Sequence, residues 1–147
     1  MLNTTFEEFS ERASQETFVP VCREVLADLL TPVSAFLKVA EHAENAFLFE
    51  SVEGGERVAR YSFLGKDPFM VLRAENGGTV IERGVSREES SEPFLDTLRA
   101  AMSKYRSAGF PGLPRFTGGA VGFLGYEAAR WFEPSLKKAW KQHGKDF

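Results

Sequence analysis

The chain has 147 residues, 43% of them hydrophobic and 13% aromatic, which is enough apolar material for one domain with a core. Its 18 basic and 21 acidic side chains are mixed along the sequence, and the formal net charge is -3, so no basic stripe favours nucleic acid or an anionic membrane. A single cysteine, Cys22, excludes an internal disulfide and a cysteine-based zinc site.

The N-terminal sequence MLNTTFEEFSERAS is polar and acidic, which does not fit the apolar part of a secretory signal. Elsewhere no apolar run approaches the ~20 residues that a membrane-spanning helix needs. We therefore expect a cytoplasmic protein with neither membrane nor nucleic-acid partners.

Two helices are predicted near the N-terminus. Thr5 and Glu8 have the spacing of a capping box, and Thr31 precedes Pro32, which suits the first position of a helix because proline has no N–H to satisfy there. Residues 18–26 lie between these helices and are apolar and β-branched, but a proline among them favours an edge or irregular strand.

Two successive hairpins are predicted next. Residues 46–51 form a strand too apolar for a half-exposed edge, paired with residues 60–65 across a Gly-Gly loop. The second hairpin turns at Asn76-Gly77-Gly78, where positive φ is tolerated. Residues 92–107 have apolar side chains at helical spacing and should cover one face of the sheet. This order of elements predicts an α+β fold.

The segment from residue 116 to residue 134 holds four glycines among apolar and aromatic residues. This composition suits a strand packed tightly against another backbone, followed by a turn at Gly125. The glycines miss the spacing of dinucleotide-binding and phosphate loops, and no GxSxG motif occurs, so no catalytic residue is assigned to this chain. We expect residues 1–134 to form the domain and residues 135–147 to be a basic tail or the start of a linker.

Glu50 and Ser51 interrupt the apolar run of the first hairpin, and strand alternation sends their side chains to opposite sides. A buried carboxylate needs a cationic partner, and Arg57 and Arg60 follow after the loop. Two interpretations stand. The pair either belongs to a structural ion pair, or it binds a free amino acid, whose ammonium needs an acceptor, whose carboxylate needs a cation and whose apolar side chain the phenylalanines could enclose.

Three blocks in this order, TPVSAFLKVA, FLFESVEGGERVARYSFLGKDP and GGAVGFLGYEAARWFEP, resemble the N-terminal region of anthranilate synthase component I, a chorismate-utilising enzyme. The resemblance runs from about residue 17 to residue 134. Aminodeoxychorismate (p-aminobenzoate) synthase component I shares the second and third blocks, whereas the first favours anthranilate synthase. A free-standing amino-acid-binding module is a further alternative.

The resemblance implies that the full-length enzyme converts chorismate and ammonia, drawn from glutamine by an amidotransferase subunit, to anthranilate and pyruvate with Mg²⁺. In the family the chorismate and magnesium residues lie in the C-terminal half, so this chain should bind no metal and should not be catalytic alone. The same resemblance places L-tryptophan, the feedback inhibitor, against Pro32, Glu50, Ser51 and Arg60. It also implies that this region is part of a larger two-layer sandwich completed by the C-terminal half, so that the isolated piece could self-associate as a homo-oligomer.

Overall fold

The computed structural model of the chain describes residues 4–50, 61–107, 109, 112–114, 116–133 and 135–136. Its helices are α1 (Phe6–Ala13), α2 (Pro32–Val39), α3 (Phe94–Met102) and α4 (Ala129–Phe132), the last preceded by a 3-10 turn, Tyr126–Ala128. Its strands are β1 (Ala46–Phe49), β2 (Phe63–Lys66), β3 (Val71–Glu75), β4 (Gly78–Arg83) and β5 (Ser86–Ser90). The strands form two antiparallel sheets, β1-β2 and β3-β4-β5, so the α+β prediction is confirmed.

The two N-terminal helices begin where predicted, and both start at a capping box, of which the one at Thr5 was predicted. The Thr5 hydroxyl accepts the Glu8 N–H at 3.2 Å, while the Glu8 carboxylate accepts the Thr5 N–H at 2.9 Å. The start of α2 has the same arrangement between Thr31 and Ser34, with distances of 3.1 and 2.9 Å. Pro32 occupies the first turn of α2, where a missing N–H costs nothing.

The first predicted hairpin is confirmed as β1 and β2, and α2 packs on both strands. Phe49 pairs with Phe63, and Phe47 pairs with Gly65. The expectation that β1 is too apolar for a half-exposed position is wrong, because Phe49 is 52% exposed. Among the described elements, α2 is the one helix that packs on this hairpin, so the apolar strand is not covered from both sides.

The second predicted hairpin is also confirmed, since Asn76 (φ 49°) and Gly77 (φ 81°) form the turn between β3 and β4. The central strand β4 carries the buried residues Thr79 and Val80. Thr79 donates its hydroxyl to the Glu92 carbonyl at 2.8 Å, just before α3, and α3 packs on β3 and β4. This contact shows that the Thr79 side of the sheet faces α3.

The opposite side of the three-stranded sheet is rich in ion pairs. Arg87 on β5 lies 3.3 Å from the carboxylate of Glu75, 3.6 Å from that of Glu82 and 3.7 Å from that of Glu89. Strand alternation places these side chains on the face away from Thr79. Exposed ion pairs each contribute only about 0.2–1 kcal/mol. β5 is exposed from Ser86 to Glu89, and its polar sequence explains why the strand escaped prediction, whereas Val80 on the same face of β4 is buried.

Two predicted strands do not form. Residues 18–26 contain a single bridge position, Arg23, and residues 116–125 contain no strand within the described part of the chain. Gly118 does pack tightly, but against a side chain: a Cβ there would meet the ring of Phe18. A strand requires a hydrogen-bonded neighbour, and none of the described strands pairs with either segment.

The hydrophobic core of the described residues is small, with Val80 and Ala128 as its buried members. Large apolar side chains instead face outward, and Leu29 and Phe123 are 98% and 95% exposed. Such a surface is typical of part of a larger fold. Within the part of the chain that the structure covers, no helix is both long and apolar enough to cross a membrane.

Candidate functional site

Two of the four predicted site residues lie in the described structure. Pro32 is half-buried at the start of α2, and Glu50 is exposed and follows β1 directly. Because α2 packs on β1 and β2, one structural unit carries both residues. The other two, Ser51 and Arg60, lie outside the described residues, as does the alternative cation Arg57.

Aromatic side chains gather on the hairpin that leads to Glu50. We define the aromatic cluster by its five members, Phe47, Phe49, Tyr61, Phe63 and Phe116. Ring centroids are 5.3 Å apart for Phe47 and Phe49, and 6.2 Å apart for Tyr61 and Phe63. Phe116 meets Phe63 edge to face at 5.5 Å.

The cluster forms because of strand geometry. Residues two apart on a strand share a face, and Phe49 lies directly opposite Phe63 in the register. The spacing of Phe47 and Phe49 on one side, and of Tyr61 and Phe63 on the other, was a usable signal in the sequence. Phe116 comes from a distant part of the chain, and only the tertiary structure could place it there.

The charge of Glu50 is accessible. Among the described side chains, no cation lies within 4.0 Å of its carboxylate. The ion-pair interpretation stays a prediction, because its candidate cations Arg57 and Arg60 lie outside the described residues. An exposed carboxylate next to aromatic rings can accept hydrogen bonds from an ammonium group, while the rings offer flat apolar faces to a ligand.

The described donors do not fit a metal site. No group of three or more histidine, cysteine, aspartate or glutamate side chains in the described residues could hold an ion. His42 is exposed, and the Cys22 sulfur lies 3.2 Å from the Thr4 hydroxyl. We therefore derive no chemical step through magnesium in this chain.

One concavity of about 310 Å³ lies between the β3–β4 turn and β5. Its walls include Glu75, Asn76 and Ser90, but neither Pro32 nor Glu50. The cavity is polar and open, and no member of the aromatic cluster lines it. The candidate site is therefore the surface around the end of β1.

Known proteins resemble this chain over most of its length. It is 42% identical over 134 residues to anthranilate synthase component 1 of Acetivibrio thermocellus, a match that covers 90% of this chain and 27% of that protein. It is 45% identical over 138 residues to the Synechocystis protein of the same name, covering 92% and 27%. The Acinetobacter calcoaceticus protein is 40% identical over 124 residues, covering 80% and 24%. No family model matches the chain.

The chain is an α+β unit, and it matches only a fraction of much longer relatives. The chain spans about a quarter of the length of these relatives, at their N-terminal end. It is homologous to the N-terminal region of anthranilate synthase component 1, and the resemblance seen in its sequence is thereby confirmed.

Proposed function

We propose that this chain is the N-terminal, regulatory and structural portion of an anthranilate synthase component 1 and carries much of an L-tryptophan feedback site. One observation carries the proposal: the exposed carboxylate of Glu50 extends from a hairpin bearing the aromatic cluster, and α2, beginning at Pro32, packs on that hairpin. These features offer an acceptor for a ligand ammonium and apolar surfaces for an aromatic side chain.

Each part has a stated role in the proposed recognition. Glu50 and Ser51 accept hydrogen bonds from the ligand ammonium, and Arg60 pairs with the ligand carboxylate. The aromatic cluster packs against the indole, since aromatic pairs prefer edge-to-face or offset contacts at 4.5–7 Å. Pro32 adds a rigid apolar contact at the start of α2. An amino acid that lacks a large aromatic side chain would lose the packing against the aromatic cluster.

The activity belongs to the proposed whole enzyme. There, chorismate and ammonia from a glutamine amidotransferase subunit would give anthranilate and pyruvate, with magnesium and the catalytic residues in the C-terminal half. In that arrangement this chain supplies no catalytic group and is inactive alone. Such an enzyme would act in cytoplasmic tryptophan biosynthesis.

Regulation follows from differential binding. If L-tryptophan binds more tightly to a state whose chorismate site is poorly formed, it shifts the population toward that state by at most its difference in affinity. The hairpin and α2 would then be the part of the molecule that senses the inhibitor. The chorismate site in the C-terminal half would then be poorly formed, and turnover would fall.

The experiment joins residues 1–136 of this chain to the unmatched remainder of the Acetivibrio thermocellus relative and measures ammonia-dependent anthranilate formation by fluorescence. Ser51→Ala should raise the tryptophan concentration for half inhibition about tenfold or more, because a hydrogen bond to a charged group contributes about 1.5–3 kcal/mol. Uninhibited turnover should stay unchanged. Ser91→Ala, at an exposed serine outside the site, is the matched control.

Equal tryptophan inhibition of the parent and Ser51→Ala proteins would overturn the site assignment. A joined protein that makes anthranilate without any tryptophan inhibition would favour the alternative that the chain derives from a p-aminobenzoate synthase. Calorimetric titration of L-tryptophan into the 147-residue chain, with L-phenylalanine as the comparison ligand, tests the third alternative. Selective binding there would show that the pocket exists without a catalytic half.

A further inference from the structure

The turn between β3 and β4 holds the one Asn-Gly pair of the sequence, Asn76 and Gly77. Both residues are exposed, and both have positive φ, 49° for Asn76 and 81° for Gly77. Asparagine and glycine adopt this conformation at little cost, which suits the pair to a two-residue hairpin turn. The fold therefore keeps an asparagine directly before a glycine at the surface of the molecule.

The polar groups of this pair are not engaged with the rest of the protein. Among the described residues, the side-chain amide of Asn76 and the backbone N–H of Gly77 make no hydrogen bond. A Cβ built on Gly77 would meet no atom within 4 Å, so the space around this residue is open. Both residues also line the open concavity of about 310 Å³, which is large enough to admit water. A backbone nitrogen, a neighbouring side-chain amide and water can therefore meet in the turn.

We propose that Asn76 is a site of spontaneous deamidation. The backbone nitrogen of Gly77 gives up its proton and attacks Cγ of Asn76, forming a new C–N bond. The bond from Cγ to the side-chain nitrogen breaks, and that nitrogen leaves with the added proton as ammonia. The product is a succinimide ring. Water then adds to one of the two ring carbonyl carbons and opens the ring, which leaves aspartate or isoaspartate at position 76.

Glycine after the asparagine favours the reaction, because it has no Cβ to hinder the approach of its nitrogen. Asn45 provides a comparison within the same chain. It is half-buried, it precedes Ala46 at the start of β1, and its carbonyl accepts the N–H of Asp67 at 3.2 Å. The backbone around Asn45 is thus held in place, and the next residue carries a methyl group. Asn45 should therefore react far more slowly than Asn76.

Isoaspartate at position 76 would lengthen the backbone of the turn by one carbon atom, because the chain then runs through the former side chain. The register that places Glu75 opposite Gly78 depends on a two-residue turn. Thr79 follows directly, is buried and donates its hydroxyl to the Glu92 carbonyl before α3. A longer turn should therefore loosen the hairpin and its contact with α3.

Peptide mapping by mass spectrometry tests the reaction in the 147-residue chain, incubated at mildly alkaline pH and sampled over days. We expect the mass gain of amide-to-acid conversion in the peptide that contains Asn76, and at least about tenfold less conversion in the peptide that contains Asn45. Asn76→Gly keeps a residue that tolerates positive φ and should abolish the gain at this position. Equal conversion at both asparagines, or none at Asn76, would overturn the proposal.

A parallel incubation in guanidinium chloride shows whether the turn reacts within the folded chain. If the turn reacts as it stands or after a local opening, the folded chain should deamidate within about a hundredfold of the unfolded chain. Reaction only after global unfolding would be slower by the unfolding equilibrium constant, which is about 10³ or more for small domains. A slowing equal to the constant measured for this chain by denaturant titration would contradict the proposal.

The effect on the sheet has its own measurement. After incubation the parent chain should melt at least about 2 °C lower than a fresh sample, whereas Asn76→Gly should keep its melting temperature. Asn76→Asp adds the new charge next to Glu75 without lengthening the backbone, so the fresh variant should melt like the fresh parent. A deamidated parent with an unchanged melting temperature would contradict the loosening of the hairpin. None of these measurements involves tryptophan or chorismate, so their outcomes do not depend on the proposed function.

Discussion

Phe47 and Gly65 lie opposite each other on β1 and β2, and the phenyl ring of Phe47 lies across the glycine. A Cβ at Gly65 would come within 2.6 Å of Phe47 Cε1. Because Gly65 has no side chain, the ring of Phe47 can lie over it. This contact positions Phe47 within the aromatic cluster that precedes Glu50. This relationship makes the geometry of the candidate site sensitive to a single methyl group.

Gly65→Ala should destabilise the chain by about 1–3 kcal/mol, because the ring of Phe47 must leave its position to admit the methyl group. Urea unfolding followed by circular dichroism measures the change. In the double variant Phe47→Leu with Gly65→Ala the two effects should be less than additive, since the smaller side chain removes the clash. Strict additivity would show that the two residues do not interact.

Thr31→Ala should cost about 1 kcal/mol of unfolding free energy, because it removes the N-cap of α2. The matched control is Thr5→Ala, which removes the equivalent cap of α1. That helix packs on no other helix or strand in the described structure, whereas α2 packs on the hairpin. The global unfolding transition should therefore respond more to Thr31→Ala than to Thr5→Ala, and the reverse order would contradict the packing described for α2.

Thr79→Val should cost about 1–2 kcal/mol, because it keeps the shape of a buried side chain but removes the hydrogen bond to the Glu92 carbonyl. Thr79→Ser should retain the bond. The control is Thr97→Val, since the buried Thr97 hydroxyl makes no hydrogen bond among the described residues. That substitution should be neutral or stabilising. Similar losses of unfolding free energy for Thr79→Val and Thr97→Val in chemical denaturation would contradict this explanation.

Glu50→Gln should weaken tryptophan inhibition of the joined protein about tenfold or more, because the amide keeps the size of the side chain but loses the charge that faces the ligand ammonium. Glu44→Gln, at an exposed glutamate ahead of β1, is the control and should have no effect. Both inhibition curves are measured at constant ionic strength, because exposed charges are screened by salt. Unchanged inhibition in Glu50→Gln would remove Glu50 from the site.

The sequence alone determined the features that depend on neighbouring residues. The capping box at Thr5, the helix start at Thr31 and the turn at Asn76-Gly77 follow from hydrogen bonds and backbone angles within a few residues, so local chemistry was sufficient to predict them. The three sequence blocks that carry the family resemblance were not needed for these predictions. They were needed for the family resemblance, which the comparison with longer relatives confirmed.

Only the tertiary structure decided which surfaces are covered and which strands find partners. β5 forms from a polar sequence because β4 offers it a free edge and Arg87 meets three carboxylates there, whereas residues 119–125 have a strand-like sequence and no partner among the described residues. Phe116 likewise joins Phe63 from far along the chain. The physical reason is the same in each case. Strand pairing and burial are contacts between distant segments, and a local sequence pattern shows only that a segment favours such contacts, not which segment it will contact.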